Sequence, residues 1–317
     1  MQFGLSSYSF QRLLMRDEIT LEQVFDSIAA SGGTHMELAT LTIGPGRDAM
    51  MSYELHDDAA TRARLEAAAT GSGVAISGLC IPASFIDDDP AARRAQIDRA
   101  KRYVDLCAGM GVGFLRTDVV PWALRAESQA QVEALFPRIT EACREIAEHA
   151  AASGVVASIE NHGFLMNASE RCRRLVHAVD SPNFRMTLDV GNFLCVDEDP
   201  LIATQACLGI ASFLHVKDFL VRRHYPGPGW LQTLGGRHIV GTVFGFGDVD
   251  ARAIVAAILR SGYDGFVSLE FEGNEPVPMG CDTGLKNVVR IFDEVAAELG
   301  AKVGAKVGAK AGADTGA

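Results

Sequence analysis

Short apolar runs alternate with longer amphipathic segments along almost the whole chain. The first amphipathic segment opens at Thr20, which has Gln23 at the spacing of a capping box, and apolar residues recur at i, i+3, i+4 and i+7 from Leu21. The short runs have the length and composition of buried strands. Eight such strands are predicted, at residues 3–7, 35–38, 74–80, 113–117, 155–160, 184–189, 212–215 and 265–270. Further helical patterns lie at 57–70, 91–109, 128–152, 170–179, 200–208, 251–261 and 282–298.

Strict alternation of eight strands with eight helices predicts a parallel sheet, because each helix must return the chain before the next strand begins. The chain has 317 residues, and a closed barrel of eight such units uses about 250 residues as one domain. We therefore predict an α/β fold with a single (β/α)8 TIM barrel over residues 1–299. A doubly wound open sheet is the alternative, but no G-x-G-x-x-G string follows the first strand to favour its dinucleotide-binding form.

Two segments depart from the regular spacing of strands and helices. Residues 219–247 are rich in Gly and Pro and include the string HYPGPGW, so they are predicted to form a long loop that acts as a lid, a binding loop or an interaction surface. The repeat GAKVGAKVGAKAGADTGA at 300–317 has too little apolar area to fold alone and is predicted to be a disordered tail.

Composition and charge exclude several classes of protein. With 48% hydrophobic and 22% charged residues the chain is globular. Its net charge of −11 repels phosphate backbones and anionic lipid headgroups, so neither a nucleic-acid partner nor a membrane partner is expected. The seven cysteines are odd in number and form no CxxC pair, which favours reduced thiols. The start of the chain has no signal-peptide pattern, and a cytoplasmic protein is therefore expected.

Four side chains with metal-binding chemistry stand at the ends of the later predicted strands. They are Glu160 in SIENHG, Asp189 in TLDVGN, His215 in FLHVKD and Glu270 in SLEFEG. Each follows the one before by about one barrel repeat of ~30 residues, once the long loop before Glu270 is subtracted. The four are therefore predicted to lie at one level of the C-terminal mouth, where barrel active sites are built.

Three carboxylates and an imidazole at one level would repel and desolvate one another without a counterion. A single divalent cation removes this conflict, and oxygen-rich ligation with one nitrogen suits Mn²⁺ first, with Mg²⁺, Co²⁺, Fe²⁺ and Zn²⁺ as alternatives. Any one of these residues alone would be read as an ordinary solvated strand end. Four of them at barrel spacing favour a metal site.

The strings ENHG, LDVGN, HVKD and GYDGFVSLEFEG, in this order within residues 155–273, resemble the sugar isomerase/epimerase superfamily of xylose isomerase-like TIM barrels. That superfamily includes D-tagatose 3-epimerase-like enzymes, hydroxypyruvate isomerase, inosose isomerase and dehydratase, and endonuclease IV. A weaker likeness in GLSSYSF and GGTHMELAT extends it over about residues 1–299. The resemblance implies that Glu160, Asp189, His215 and Glu270 hold one metal. It also implies that Glu160 and Glu270 exchange protons with the substrate.

The DNA-cleaving branch of the superfamily is not favoured. Endonuclease IV uses additional histidines and an aspartate to hold three zinc ions. In this chain the matching positions hold Cys80, Arg116 and Asn192, and Gly236 replaces the aspartate of an Asp-x-His pair that would end at His238. Too few ligands remain for three metals.

The predicted function is that of a divalent-metal-dependent sugar isomerase/epimerase. It would act on a keto-sugar or polyol ketone by proton abstraction next to the carbonyl, through a metal-bound enediolate. Glu160 and Glu270 would remove and return the proton. The alternatives are a lyase of the same fold, either an inosose-type dehydratase or the metal subunit of an enzyme that deglycosylates 3-keto C-glycosides, and a non-catalytic sugar-binding barrel.

Six further side chains are predicted to bind the substrate, and most have a plain structural alternative. Lys217 could instead pair with Asp218, Glu37 could pair with Lys217, and Trp122 could be a core residue. The six are Glu37, Trp122, His162, Asn192, Lys217 and His238. The expected partner is the small-molecule sugar. A homo-oligomer is expected by analogy, and a partner subunit would be needed for the C-glycoside lyase.

Overall fold

The strands of this protein close into a barrel, as described by a computed structural model for residues 1–43, 53–126 and 128–300. The strands are β1 (Gln2–Ser6), β2 (His35–Ala39), β3 (Ala75–Ile81), β4 (Phe114–Thr117), β5 (Val156–Glu160), β6 (Phe184–Asp189), β7 (Ala211–Val216), β8 (Asp218–Arg222), β9 (Leu231–Gln232), β10 (His238–Thr242) and β11 (Phe266–Leu269). Strands β1 to β7 and β11 form the closed barrel, all in parallel pairs, and β11 returns to pair with β1. The predicted single (β/α)8 barrel is confirmed, and each of its eight strands lies within one residue of its predicted position.

The helices form the outer layer of the barrel. They are α1 (Gln11–Leu14), α2 (Leu21–Ala30), α3 (Ala59–Ser72), α4 (Pro90–Gly109), α5 (Gln129–Ala151), α6 (Ser169–Val179), α7 (Pro200–Cys207), α8 (Ala251–Arg260) and α9 (Val277–Glu298). Single 3-10 turns lie at Ser7–Phe10, Thr40–Thr42, Leu55–Asp57, Asn192–Val196 and Leu208–Ile210. The capping box is confirmed, because Thr20 and Gln23 each bond the other's backbone N–H. Pro137 lies inside α5.

Helix α9 begins five residues before the predicted start at residue 282. Gly280 and Gly284 weaken the helical pattern in the sequence, yet both lie inside the helix. A Cβ on Gly280 would lie 2.2 Å from the ring of Phe271, and one on Gly284 would lie 2.8 Å from Leu269. The glycines therefore permit close packing of the helix on the last barrel strand, at the cost of local helix propensity.

Aromatic rings fill the N-terminal half of the barrel interior. Phe213 stacks on Phe266 with the ring centroids 5.7 Å apart, and Phe114 meets both rings edge-on. His35 completes this layer, with Nδ1 2.9 Å from the Ser77 hydroxyl. Burial lowers the pKa of His35 to about 4, so the imidazole is neutral at physiological pH. The N-terminal layer described here therefore carries no ionised side chain, and the ionised groups of the cluster lie in the C-terminal half.

The prediction of a long loop at 219–247 needs one correction, because three short strands form a small antiparallel sheet in this segment. Strand β10 pairs with β8 on one side and with β9 on the other. Strand β8 carries the apolar string FLV and β10 carries the apolar pair IV, and the intervening Gly and Pro residues supply the turns. The turn residues dominate the composition of the segment and hide the strands.

Asp218 ties the start of this small sheet to the residues that follow its last strand in the chain. Its buried carboxylate accepts the backbone N–H groups of Phe219, Gly245, Gly247 and Val249 at 2.8–3.2 Å. Burial raises the pKa of Asp218 although these bonds oppose the rise. One side chain therefore organises both ends of the segment.

The predicted disordered tail at 300–317 lies, apart from Gly300, outside the described residues. None of the helices that are described combines the length and the apolar character needed to cross a bilayer.

Replacing Asp218 by Ala should lower the free energy of unfolding by about 3 kcal/mol, because several buried N–H groups lose their acceptor. Urea denaturation measures this loss. Asp248 lies in the same segment but its carboxylate is exposed, so Asp248→Ala should change the value by less than about 1 kcal/mol. Equal losses in the two variants would contradict the organising role of Asp218.

Candidate active site and metal centre

The C-terminal mouth of the barrel brings together the four predicted metal ligands. Glu160 ends β5, Asp189 ends β6, His215 lies near the end of β7 and Glu270 directly follows β11. All four side chains are buried, and one ligand atom from each lies within 4.8 Å of the others. The barrel order β5-β6-β7-β11 makes their strands neighbours, which explains the convergence.

His215 stands at the centre of this cluster. Its Nδ1 faces a carboxylate oxygen of Glu160 at 3.5 Å, of Glu270 at 3.6 Å and of Asp189 at 3.9 Å. Its Nε2 bonds Glu37 Oε2 at 2.7 Å. A carboxylate behind a histidine fixes the ring orientation and makes the opposite nitrogen a better ligand. Glu37 therefore orients His215 and strengthens its Nδ1 as a ligand. The alternative prediction, that Glu37 pairs with Lys217, is wrong, because Glu37 bonds His215 instead.

Two buried atoms in the cluster lack a hydrogen-bond partner among the described residues. They are Nδ1 of His215 and Oδ2 of Asp189. Buried polar atoms are almost always paired, and a carboxylate oxygen facing an imidazole nitrogen and two further carboxylates needs a positive charge between them. Three oxygens and one nitrogen suit a hard or borderline divalent ion. The cluster could therefore hold one divalent metal ion.

The sequence around Asp189 leaves one of its oxygens available. Oδ1 accepts the backbone N–H groups of Gly191 and Asn192, both at 2.8 Å, while Oδ2 points to the cluster. The side chain of Asn161, at the neighbouring strand end, makes two bonds to the backbone of Asp189. Its Oδ1 accepts the N–H of Asp189 at 2.9 Å, and its Nδ2 donates to the carbonyl of Asp189 at 2.8 Å. A Cβ on Gly191 would lie 2.6 Å from Lys217. The strings ENHG and LDVGN are thus two halves of one hydrogen-bonded arrangement.

Lys217 is an internal counterion of the cluster. Its Nζ lies 2.7 Å from Glu270 Oε2 and 2.6 Å from Glu272 Oε1. It also lies 3.1 Å from Asp189 Oδ2, without hydrogen-bond geometry. The alternative pairing with Asp218 is wrong, because that carboxylate is occupied by backbone N–H groups. Sequence reasoning missed Glu272, although it lies two residues after Glu270, on the same side of an extended chain.

Arg116 binds the other side of the cluster and was also missed. Its Nη2 lies 2.5 Å from Glu160 Oε2 and 3.0 Å from Asp118 Oδ1. The sequence analysis considers Arg116 only because it stands where endonuclease IV has a zinc-binding histidine. Its place at the end of β4, beside the strand of Glu160, is the signal that could have found it.

The charges around the two glutamates determine their protonation. Burial alone would raise the pKa of Glu160, but Arg116 and His215 outweigh it and hold that pKa well below its usual range. Burial is likewise outweighed at Glu270, whose pKa Lys217 and His215 lower. Both glutamates are therefore ionised at neutral pH.

Asp189 and His215 shift in the opposite direction. Burial raises the pKa of Asp189 to about 6, against the charge of Lys217. The pKa of His215 is well above its usual range, because the charges of Glu37, Glu270 and Glu160 outweigh its burial. A cation at the cluster would replace the second proton of this imidazole.

A cavity of about 990 Å³ opens beside the cluster. Among the predicted substrate-binding residues, His162 and Trp122 line it, and His162 bonds Asp118 at 2.9 Å. Asn192 instead donates to Glu160 Oε1 at 2.9 Å. His238 lies on β10 opposite Arg222 and is not among the residues that line the cavity.

The chain matches the xylose isomerase-like TIM barrel family over residues 25–291. It belongs to this family. The curated L-ribulose-5-phosphate 3-epimerase UlaE of Salmonella paratyphi C is 23% identical over 212 residues, which are 64% of this chain and 67% of that protein.

Two solved structures are similar to this family member in fold. One is a xylose isomerase-like TIM barrel protein from Mycobacterium smegmatis in complex with magnesium, 16% identical, with a TM-score of 0.68 over 93% of this chain and 97% of that chain. The other is a D-psicose 3-epimerase with D-tagatose from Clostridium cellulolyticum, 16% identical, with a TM-score of 0.68 over 92% and 99% of the two chains. At these identities the likeness shows the fold alone.

We expect one Mn²⁺ ion to bind per chain, measured as the loss of the free Mn²⁺ signal in electron paramagnetic resonance. Glu37→Gln keeps all four ligands but weakens the support of His215, so it should lower the affinity by about 10–100-fold. Asp88→Asn is the control, since that carboxylate is 94% exposed. Unchanged affinity in Glu37→Gln would contradict the assignment of His215 as a ligand.

Proposed function

We propose that this protein is a divalent-metal-dependent isomerase or epimerase of a keto-sugar or polyol ketone. The observation that carries the proposal is the pair of ionised carboxylates, Glu160 and Glu270, which flank Nδ1 of His215 and both line the cavity. Two bases beside one cation position are what a proton transfer next to a carbonyl requires.

The relatives support this class of reaction. One is an L-ribulose-5-phosphate 3-epimerase and another a D-psicose 3-epimerase, and both names describe an epimerisation at carbon 3 of a ketose. A third is described in complex with magnesium. The present chain retains a complete set of three carboxylates and one imidazole at the mouth of the same fold. A barrel that only bound sugars would have no need of that set.

The proposed metal ligands are Glu160, Asp189, His215 and Glu270, with Mn²⁺ as the first choice and Mg²⁺, Co²⁺, Fe²⁺ or Zn²⁺ as alternatives. When bound, such an ion supplies a Lewis acid that polarises a carbonyl oxygen and stabilises negative charge on it. Glu37 keeps the imidazole oriented, and Arg116 and Lys217 each hold the outer oxygen of a glutamate.

The proton transfer itself falls to the two glutamates. Their strands, β5 and β11, are separated in the barrel by β6 and β7, so the carboxylates approach the cluster from two sides. One takes the proton from the carbon next to the carbonyl, and the electron pair of that C–H bond forms an enediolate. Return of a proton to the opposite face gives an epimer, and return to the neighbouring carbon gives an aldose–ketose isomer.

Glu160→Gln and Glu270→Gln should each reduce turnover by about 10²–10⁴-fold, because an amide cannot accept the substrate proton. The assay is deuterium incorporation, followed by NMR, from deuterated water into a panel of ketoses, inososes and 3-keto-glycosides with Mn²⁺ present. Circular dichroism checks that the variants fold.

Glu294→Gln is the matched control, since Glu294 is exposed on α9 and should leave turnover unchanged. Normal exchange in both site variants would refute the acid–base assignment. Loss of water or of an aglycone with the exchange would identify the lyase instead, and Mn²⁺ binding without exchange on any compound would identify a sugar-binding barrel.

A further inference from the structure

The cavity at the barrel mouth is larger than a monosaccharide needs. Its volume of about 990 Å³ is at the upper end of the ~300–1,000 Å³ that drug-sized ligands occupy. It reaches from Glu160 and Glu270 to Gln96 and Arg99 of α4. A sugar ring next to the cluster would leave the outer part of this volume unfilled.

An apolar wall lines one side of that outer part. It is formed by the segments that follow β3 and β4, namely Pro82, Ala83, Val120, Pro121 and Trp122. Trp122 is 42% exposed, which is unusual for an indole, and it contacts Phe164 with the ring centroids 5.4 Å apart. Arg125 lies over Phe164 at 3.5 Å. The indole is thus held in place and still presents apolar area to the cavity.

The backbone next to this wall is also fixed. Gly163 has a φ of +68°, and a Cβ there would lie 2.2 Å from the carbonyl oxygen of Trp122. The loop after β5, which contains Gly163, therefore touches the loop after β4, which contains Trp122, and any side chain larger than that of glycine would push the two apart. The backbone of Trp122 therefore packs against Gly163, and its ring packs against Phe164.

Carboxylates outnumber cationic groups around the cavity. Within the described part of the chain, the acidic side chains that line it are Glu54, Asp87, Asp118, Glu160, Glu270 and Glu272. The guanidinium groups that line it are Arg99 and Arg116. Lys217 adds one positive charge next to Glu270 and Glu272, and a divalent ion at the cluster would add two, so six carboxylates would face five positive charges. A phosphate or carboxylate on the substrate would therefore meet no excess of positive charge among these groups.

Both guanidinium groups are already paired. Arg116 binds Glu160 and Asp118, and Arg99 Nε lies 2.5 Å from Glu54. Arg99 Nη1 donates to the carbonyl of Pro82 at 2.7 Å, while Nη2 has no partner among the described residues. The charge of Arg99 is thus balanced by Glu54 and is not free to bind a phosphate or carboxylate of the substrate.

We propose that the cavity takes an uncharged sugar that carries a flat apolar substituent, with the substituent against Trp122. The place of the sugar ring beside Glu160 and Glu270 rests on the proposed function. The size of the cavity, its apolar wall and its excess of carboxylates all distinguish this ligand from a free monosaccharide and from a sugar phosphate.

The chain has two tryptophans, so Trp230→Phe leaves Trp122 as the single fluorescent reporter. We would titrate this variant, with Mn²⁺ present, with 4-nitrophenyl β-D-glucopyranoside, D-glucose and D-glucose 6-phosphate. The glycoside has no free carbonyl and cannot turn over, and NMR of the titrated samples checks that the two aldoses are not isomerised. The nitrophenyl glycoside should quench Trp122 saturably. By calorimetry it should bind about tenfold more tightly than D-glucose, from the added aromatic contact, and the phosphate should bind more weakly than D-glucose.

Trp122→Phe keeps Trp230 and should lose the saturable quenching, while Trp122→Ala should bind the nitrophenyl glycoside and D-glucose equally. Asp87→Asn removes one charge from the cavity wall and should improve binding of D-glucose 6-phosphate about two- to threefold at low salt. Asp88 is the next residue but does not line the cavity, so Asp88→Asn should leave the binding of D-glucose 6-phosphate unchanged.

Tightest binding of the phosphate, or a nitrophenyl preference that survives Trp122→Ala, would overturn the proposal. These titrations do not depend on turnover. If no ketose exchanges a proton while the titrations behave as described, the proposed reaction fails and the ligand class stands.

Discussion

The burial of three carboxylates and an imidazole around one point is the constraint on which the rest of the site depends. Nδ1 of His215 faces all three acids at 3.5–3.9 Å and has no hydrogen-bond partner among the described residues. Such an arrangement is costly in a medium of low dielectric constant unless positive charge lies among the groups. The surrounding residues are arranged so that this charge is supplied at one position.

The permanent cations of the site hold the outer oxygens of the two glutamates, while the inner oxygens face Nδ1 of His215. Arg116 takes the outer oxygen of Glu160, and Lys217 takes that of Glu270. Glu37 plays the complementary part for His215, because it occupies Nε2 and leaves Nδ1 directed at the acids. Removal of any of these partners would disturb both the charge and the orientation of a ligand, which is why they matter as much as the ligands themselves.

The barrel separates stability from chemistry along its axis. Its N-terminal half is packed with aromatic rings and a neutral histidine, and its C-terminal half holds ionised groups beside an open cavity. The packed half keeps the strand ends in register, so the ligands on neighbouring strands stay within reach of one another. Asp218 extends this order to the small antiparallel sheet by binding backbone N–H groups from both of its ends.

Local patterns in the sequence determined the strands and the helices, because strand length, helix period and caps depend on near neighbours. The regular succession of these elements in turn predicted that four ligands lie at the mouth of the barrel. Only the tertiary structure decided that Glu37 meets His215, 178 residues away in the chain, and that Arg116 meets Glu160. Closing the barrel creates these contacts between residues that no local pattern relates. The strands at Asp218–Arg222 and His238–Thr242 were hidden for a similar reason, since each needs the other, across a turn-rich segment, to satisfy its backbone hydrogen bonds.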